Sequence, residues 1–125
     1  MPHRLEINPI HLGFGATAEV EPQMTGGMQW YVEYGARHGE DGAEGRLVSM
    51  STFTESWDVW EMHPKGAEVV LCTEGEMSDG ILQSTTLSVG EYAINAPGIW
   101  HTADVEGSAT AVFITAGAGT EHRER

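Results

Sequence analysis

The amino-acid sequence predicts an all-β domain, an antiparallel sandwich or barrel, on three observations. Residues 46 to 116 break into short runs rich in β-branched and aromatic residues. Gly, Pro, Asn and Asp separate these runs at short, regular spacing, and sixteen glycines supply the turns. No run in this span has a helical period.

The expected strands, in order, are RLVSMSTF (46–53), WDVWEMH (57–63), AEVVLCTE (67–74), GILQSTTLSV (80–89), EYAINA (91–96), WHTADV (100–105) and SATAVFITA (108–116). Upstream, MQWYVEY (28–34) alternates like a strand and is expected to pair at a sheet edge, and GARHGEDGAEG (35–45) reads as a polar loop. The segment 117–125, GAGTEHRER, is expected to be a flexible tail with His122 solvated. His3, His11 and His38 stand in polar, turn-rich surroundings and are expected at the surface.

The 125 residues make one domain, 1–125, with a core barrel over about 46–116 and N-terminal strands and a loop over 1–45. Nineteen acidic residues against six Lys plus Arg give a formal net charge of -13. Such a surface repels polyanions, so nucleic acid and anionic membranes are poor partners. The opening MPHRLEINPI lacks the basic start and apolar stretch of a secretory signal, and the expected location is the cytoplasm. Cys72 is the only cysteine, which forbids an intrachain disulfide and a thiolate zinc cluster; within VVLCTEG it reads as a buried, inert thiol.

The stretch WEMHPKGAEVV (60–70) carries the chemistry. On a strand, Glu61 and His63 project to one face with Cα atoms about 6.6 Å apart. Pro64 cannot donate to a ladder and Gly66 eases a reversal, so Glu68 returns on a neighbouring strand. In NAPGIWHTADV (95–105) a Pro-Gly turn feeds a short strand carrying His101. Alternation turns Trp57 and Val59 to the Glu61 face and Val70 to the Glu68 face, making these three the candidate pocket residues.

These two stretches resemble the two signature motifs of the cupin superfamily. The first has two histidines separated by one residue, then four residues, a glutamate, six residues and a glycine. Here Glu61-Met62-His63 stands for the histidine pair, Pro64 to Ala67 fills the four, Glu68 matches the glutamate, and Val69 to Glu74 leads to Gly75. Gly90, Pro97, Gly98 and His101 follow the second motif. Two positions depart: Glu61 replaces the first histidine, and Val105 stands where asparagine is common.

The resemblance implies a small single-domain cupin, an antiparallel double-stranded β-helix with a jelly-roll-like barrel. It also implies a divalent metal, iron, manganese, nickel or zinc, held by Glu61, His63, Glu68 and His101. Glutamate ligates such ions through oxygen, and two carboxylates formally neutralise a dication. A small molecule is then expected in the barrel mouth, bound or transformed by a metal-dependent oxygenase, isomerase or lyase. The alternative is a metal-free pocket that serves as a binding or sensing module, or as an acid-base isomerase or lyase. A homodimer is expected on separate grounds, because short barrels with an edge strand such as MQWYVEY gain by pairing that edge with a second copy.

Overall fold

The computed structural model describes residues 2–80 and 85–125. In chain order its elements are β1 (Ile10–Gly13), β2 (Thr17–Val20), α1 (Met28–His38), β3 (Arg46–Phe53), β4 (Val59–Met62), β5 (Glu68–Gly80), β6 (Thr85–Leu87), β7 (Tyr92–Asn95), β8 (Thr102–Thr115) and β9 (Glu121–Glu124). Short 3-10 turns follow β1 and α1. Strand β3 coincides with the expected RLVSMSTF run. Positions 81–84 of the strand expected over 80–89 lie outside the described residues.

The main sheet runs β2-β1-β3-β8-β5-β6, with β7 also on β5, and every pairing is antiparallel. The expected strands 100–105 and 108–116 are one strand, β8, and 67–74 continues through β5 to Gly80. Both long strands bend. The β5–β8 register slips between Cys72 and Glu74 and again between Gly75 and Met77, and such bulges turn a strand from one sheet into the next. Beyond the bend β5 pairs with β6; before it, with β7. Strand β8 likewise carries β3 on Ala109–Thr115, while its start lies against β4 and the residues before it, where the Trp57 backbone N–H donates to Ala103 C=O at 2.9 Å.

Alternation along these strands builds the core. Val70, Cys72 and Met77 of β5 meet Ala103, Val105, Ala109, Ala111 and Phe113 of β8, with Leu87 closing the cluster. Fully burying each large apolar side chain stabilises by roughly 1.5–3 kcal/mol. Cys72 is fully buried as expected, and burial pushes its thiol pKa up. On the same inward rows, Glu68 follows Val70 and Thr115 follows Phe113, so the apolar interior ends in a polar pair that sits in register across the two strands.

The N-terminal region departs from expectation. MQWYVEY is the start of helix α1, and GARHGEDGAEG is that helix's end plus a 3-10 turn. Strand alternation would put Trp30, Val32 and Tyr34 on one face; instead Trp30 is buried, Val32 is exposed, and Trp30 and Tyr34 stack at 5.7 Å, four residues apart. The four-residue period wins because that face has an anchor. Tyr34 Oη lies 2.6 Å from His11 Nδ1, and Asp41 Oδ2 lies 2.6 Å from His11 Nε2. His11 is therefore buried, against the surface position expected, and His38 stacks on it at 3.7 Å. His38 and Arg37 in turn bond Glu21. Strand β2 stands at one edge of the main sheet, the place expected for the 28–34 segment.

The tail also departs. Glu121–Glu124 forms β9 and pairs with β4, setting Glu61 opposite His122, so 117–125 is not a frayed end. Arg125 secures it by donating to the Trp57 and Ala103 carbonyls at 3.0 and 3.2 Å. Among the described residues, no helix is long and apolar enough to cross a membrane.

Candidate metal centre

Backbone pairing alone brings the two motifs together. Glu61 and His101 exchange both backbone hydrogen bonds at 2.8 Å, the closed pair of an antiparallel ladder, which puts their side chains on one face. Gly98 N–H, in the Pro-Gly turn, donates to His63 C=O at 3.0 Å. Gly66 permits the reversal between His63 and Glu68: a Cβ there would stand 2.6 Å from the Ala116 Cβ. Glu68 then arrives as the first residue of β5.

The four expected ligands therefore meet. One ligand atom from each of Glu61, His63, Glu68 and His101 lies within 4.8 Å of all the others. His63 Nε2 is 3.0 Å from Glu61 Oε1 and 3.1 Å from Glu68 Oε2, and His101 Nε2 is 3.5 Å from Glu68 Oε1. Yet among the described residues His63 Nε2, Glu68 Oε1 and both His101 nitrogens are buried without a correctly aligned hydrogen-bond partner. Distances are short and angles are wrong for direct bonding. His63 Nε2, Glu68 Oε1 and His101 Nε2, which converge without satisfying one another, fit a shared cation, while His101 Nδ1 faces Asp79; two imidazoles with two carboxylates are a chemically suitable set for a divalent ion.

The electrostatics follow from this crowding. Burial pushes the His63 pKa down, but Glu61 and Glu68 outweigh it and hold it at about 9. Burial pushes the Glu61 carboxyl up, but His63, His122 and His101 outweigh that and hold it below the usual carboxylate range. His101, at 1 % exposure, is held below the usual histidine range by burial. Asp79, behind His101 at 3.9 Å, is pushed up to about 6 by burial and by the Glu68 charge.

The candidate pocket residues separate. Trp57 lies against the centre, its ring 6.2 Å from His101, with a buried indole N–H that has no partner. Val70 is one layer deeper, in the core. Val59 is half-buried and its carbonyl accepts a bond from Thr102 at 2.8 Å.

Sequence reasoning missed the outer partners. Thr115 donates to Glu68 Oε2 at 2.7 Å, Thr120 Oγ1 lies 2.8 Å from His63 Nδ1, and His122 Nε2 lies 2.8 Å from Glu61 Oε2. The available signal was the two-residue spacing of Thr120 and His122, which places both on one face of any strand.

No protein-family model matches the chain, and no curated protein matches it. Solved structures do. A cupin-2 domain protein from Shewanella frigidimarina is 21% identical, over 56% of this chain and 69% of that one, with a TM-score of 0.53. A Klebsiella pneumoniae protein with a double-stranded β-helix domain is 24% identical, over 64% of this chain and 76% of that one, with a TM-score of 0.54. An oxalate oxidase in complex with the substrate analogue glycolate is 19% identical, over 61% of this chain and 45% of that one, with a TM-score of 0.51. With its two bent antiparallel strands, its motif residues gathered at one end of the barrel and these structural likenesses, the chain has the cupin fold, the double-stranded β-helix.

Proposed function

We propose that this protein is a metal-binding cupin that binds or transforms a small molecule at the barrel mouth, with Glu61, His63, Glu68 and His101 holding a divalent ion of the iron, manganese, nickel or zinc type. The observation that carries the reading is the set of buried, converging donors left without hydrogen-bond partners. A bound ion supplies Lewis-acid activation of a ligand oxygen. Around it, the chain's own residues provide a hydrophobic wall, the Trp57 face, and the Trp57 indole N–H, a buried donor without a partner among the described residues and suited to a ligand oxygen. Thr115 fixes the inner carboxylate by holding Glu68 Oε2.

The metal-free alternative draws on one observation. His63 stands 3.0 and 3.1 Å from two carboxylates and is held at about 9, so without an ion it is an imidazolium flanked by two anions. Such a group serves as an acid in an isomerase or lyase, or as a polar wall in a binding module.

Titration separates the two readings. In metal-free protein, the folded-state pKa of His63 is raised, so its contribution to stability is full below the unfolded value near 6.5 and is lost as pH rises through about 9. An ion must displace that proton, so affinity for added zinc or nickel is expected to climb about tenfold per pH unit between 6.5 and 9. Calorimetric titrations at several pH values, with chelator-treated protein, check this. Absence of any uptake across the range leaves the metal-free reading standing.

A homodimer formed through the β2 edge belongs to the same proposal. Thr17–Val20 is exposed throughout and flanked by exposed Leu12 and Phe14. Light scattering is expected to give twice the 13.5 kDa chain mass at micromolar concentration, and Val20→Glu to return it to one.

A further inference from the structure

We propose that β9 and the turn that leads into it are part of the metal centre, with Thr120, just before the strand, and His122, within it, acting as positioning residues that set how His63 and Glu61 present their ligand atoms. The proposal rests on the metal-binding reading above and adds to it a strand that lies outside both sequence motifs.

Thr120 decides the state of His63. Its hydroxyl has one proton and two near neighbours: Gly117 C=O at 2.8 Å and His63 Nδ1 at 2.8 Å. A carbonyl only accepts, so the hydroxyl proton goes to Gly117, and the hydroxyl oxygen receives the proton of Nδ1. Neutral His63 then carries its proton on Nδ1 and turns a bare Nε2 lone pair toward Glu61 and Glu68. That is the tautomer a metal needs.

His122 decides the orientation of Glu61. One carboxylate oxygen, Oε1, faces His63 at 3.0 Å; the other, Oε2, faces away to His122 Nε2 at 2.8 Å. A glutamate in the place of the family's first histidine has a carboxylate free to rotate and to offer one oxygen or two. Held by its outer oxygen, Glu61 offers one. With that hold removed, both oxygens can turn inward, an arrangement suited to larger, oxygen-preferring ions.

The strand has its own anchors. Four residues of β9 pair with β4, Arg123 lies over the Trp100 ring at 3.7 Å, and Arg125 bonds the Trp57 and Ala103 carbonyls. Substituting Thr120 or His122 therefore leaves the strand docked and changes only what it presents to the ligands.

The test uses the full chain and cobalt(II), whose visible spectrum reports its ligands. Wild type, Thr120→Val, Thr120→Ser, His122→Ala and His122→Gln are titrated with cobalt, and the same variants are melted in chelator. Thr120→Val and His122→Ala are expected to weaken cobalt binding about 10- to 100-fold, with Ser and Gln recovering most of the loss because each restores a hydrogen-bonding group. His122→Ala is further expected to narrow the preference for cobalt over manganese. If Thr120→Val and His122→Ala bind cobalt as wild type does, or weaken it only in step with a lower melting temperature, the proposal is overturned while the four-ligand centre stands. Wild type that takes up no cobalt overturns both.

Discussion

Replacing His101 by leucine is expected to abolish metal-induced stabilisation while leaving the metal-free protein as stable as wild type, or more so. His101 is 1 % exposed, and among the described residues neither ring nitrogen has a hydrogen-bond partner. A buried polar group left unpaired costs about 1–3 kcal/mol, which an apolar side chain of similar size avoids. In chelator, then, His101→Leu should melt no lower than wild type. With metal the order reverses: an ion at a hundred times its dissociation constant stabilises wild type by about 2.7 kcal/mol, and the variant, lacking a ligand that no neighbour replaces, should lose at least about a hundredfold in affinity. Paired thermal melts with and without metal check both halves. A His101→Leu protein that still gains stability from metal would remove His101 from the ligand set.

The second large effect is Gly75→Val, expected to cost more than about 3 kcal/mol and to prevent accumulation of folded protein. Gly75 has φ +71°, and a Cβ at that position would stand 2.1 Å from the Ser108 carbonyl oxygen, which belongs to the partner strand and cannot withdraw. Gly107 is the internal control. It has φ +78° but open space around it, so Gly107→Ala is expected to cost only the left-handed strain, about 1–2 kcal/mol. Urea denaturation of the two variants checks the difference. Equal losses would show that backbone conformation, not the close approach of β5 to β8, makes this position a glycine.

The contrast explains why some of the molecule was legible in its sequence. Gly75 closes the first motif because two strands touch there, and spacing within one motif records such local geometry. The gathering of Glu61, His63, Glu68 and His101 was legible for the same reason: each sits at a fixed offset from a turn, and β-alternation aims it. RLVSMSTF was legible because its alternation has no competitor. MQWYVEY was not, because it satisfies both periods, and the choice was made by His11, seventeen or more residues away, offering a partner to Tyr34. The tail was misread for a similar reason. Nothing within GAGTEHRER reveals that β4 presents an open edge and Glu61 an outward oxygen; both are properties of residues some sixty positions earlier. Long-range partners decide these segments, and composition carries no record of them.

Strand β8 also sets the order in which the molecule can be assembled. It is the shared neighbour of β3 and β5, with Leu47 opposite Thr115 and Glu68 opposite the same residue. While the chain is being synthesised, β3 has only the short β1 beside it, and β5 has only β6 and β7. The middle of the sheet is missing until residues 102–115 emerge, and His101, at their threshold, emerges with them. Loops of this length are slow to close, placing folding in the millisecond-to-second range typical of β-proteins rather than the microseconds of helical bundles. Until then β3 and β5 present open edges and apolar faces to the cell, the period in which such a chain is most exposed to aggregation. On the metal-binding reading the ligand set is complete only after that closure, since Glu61, His63 and Glu68 all precede β8 and His101 emerges at its start.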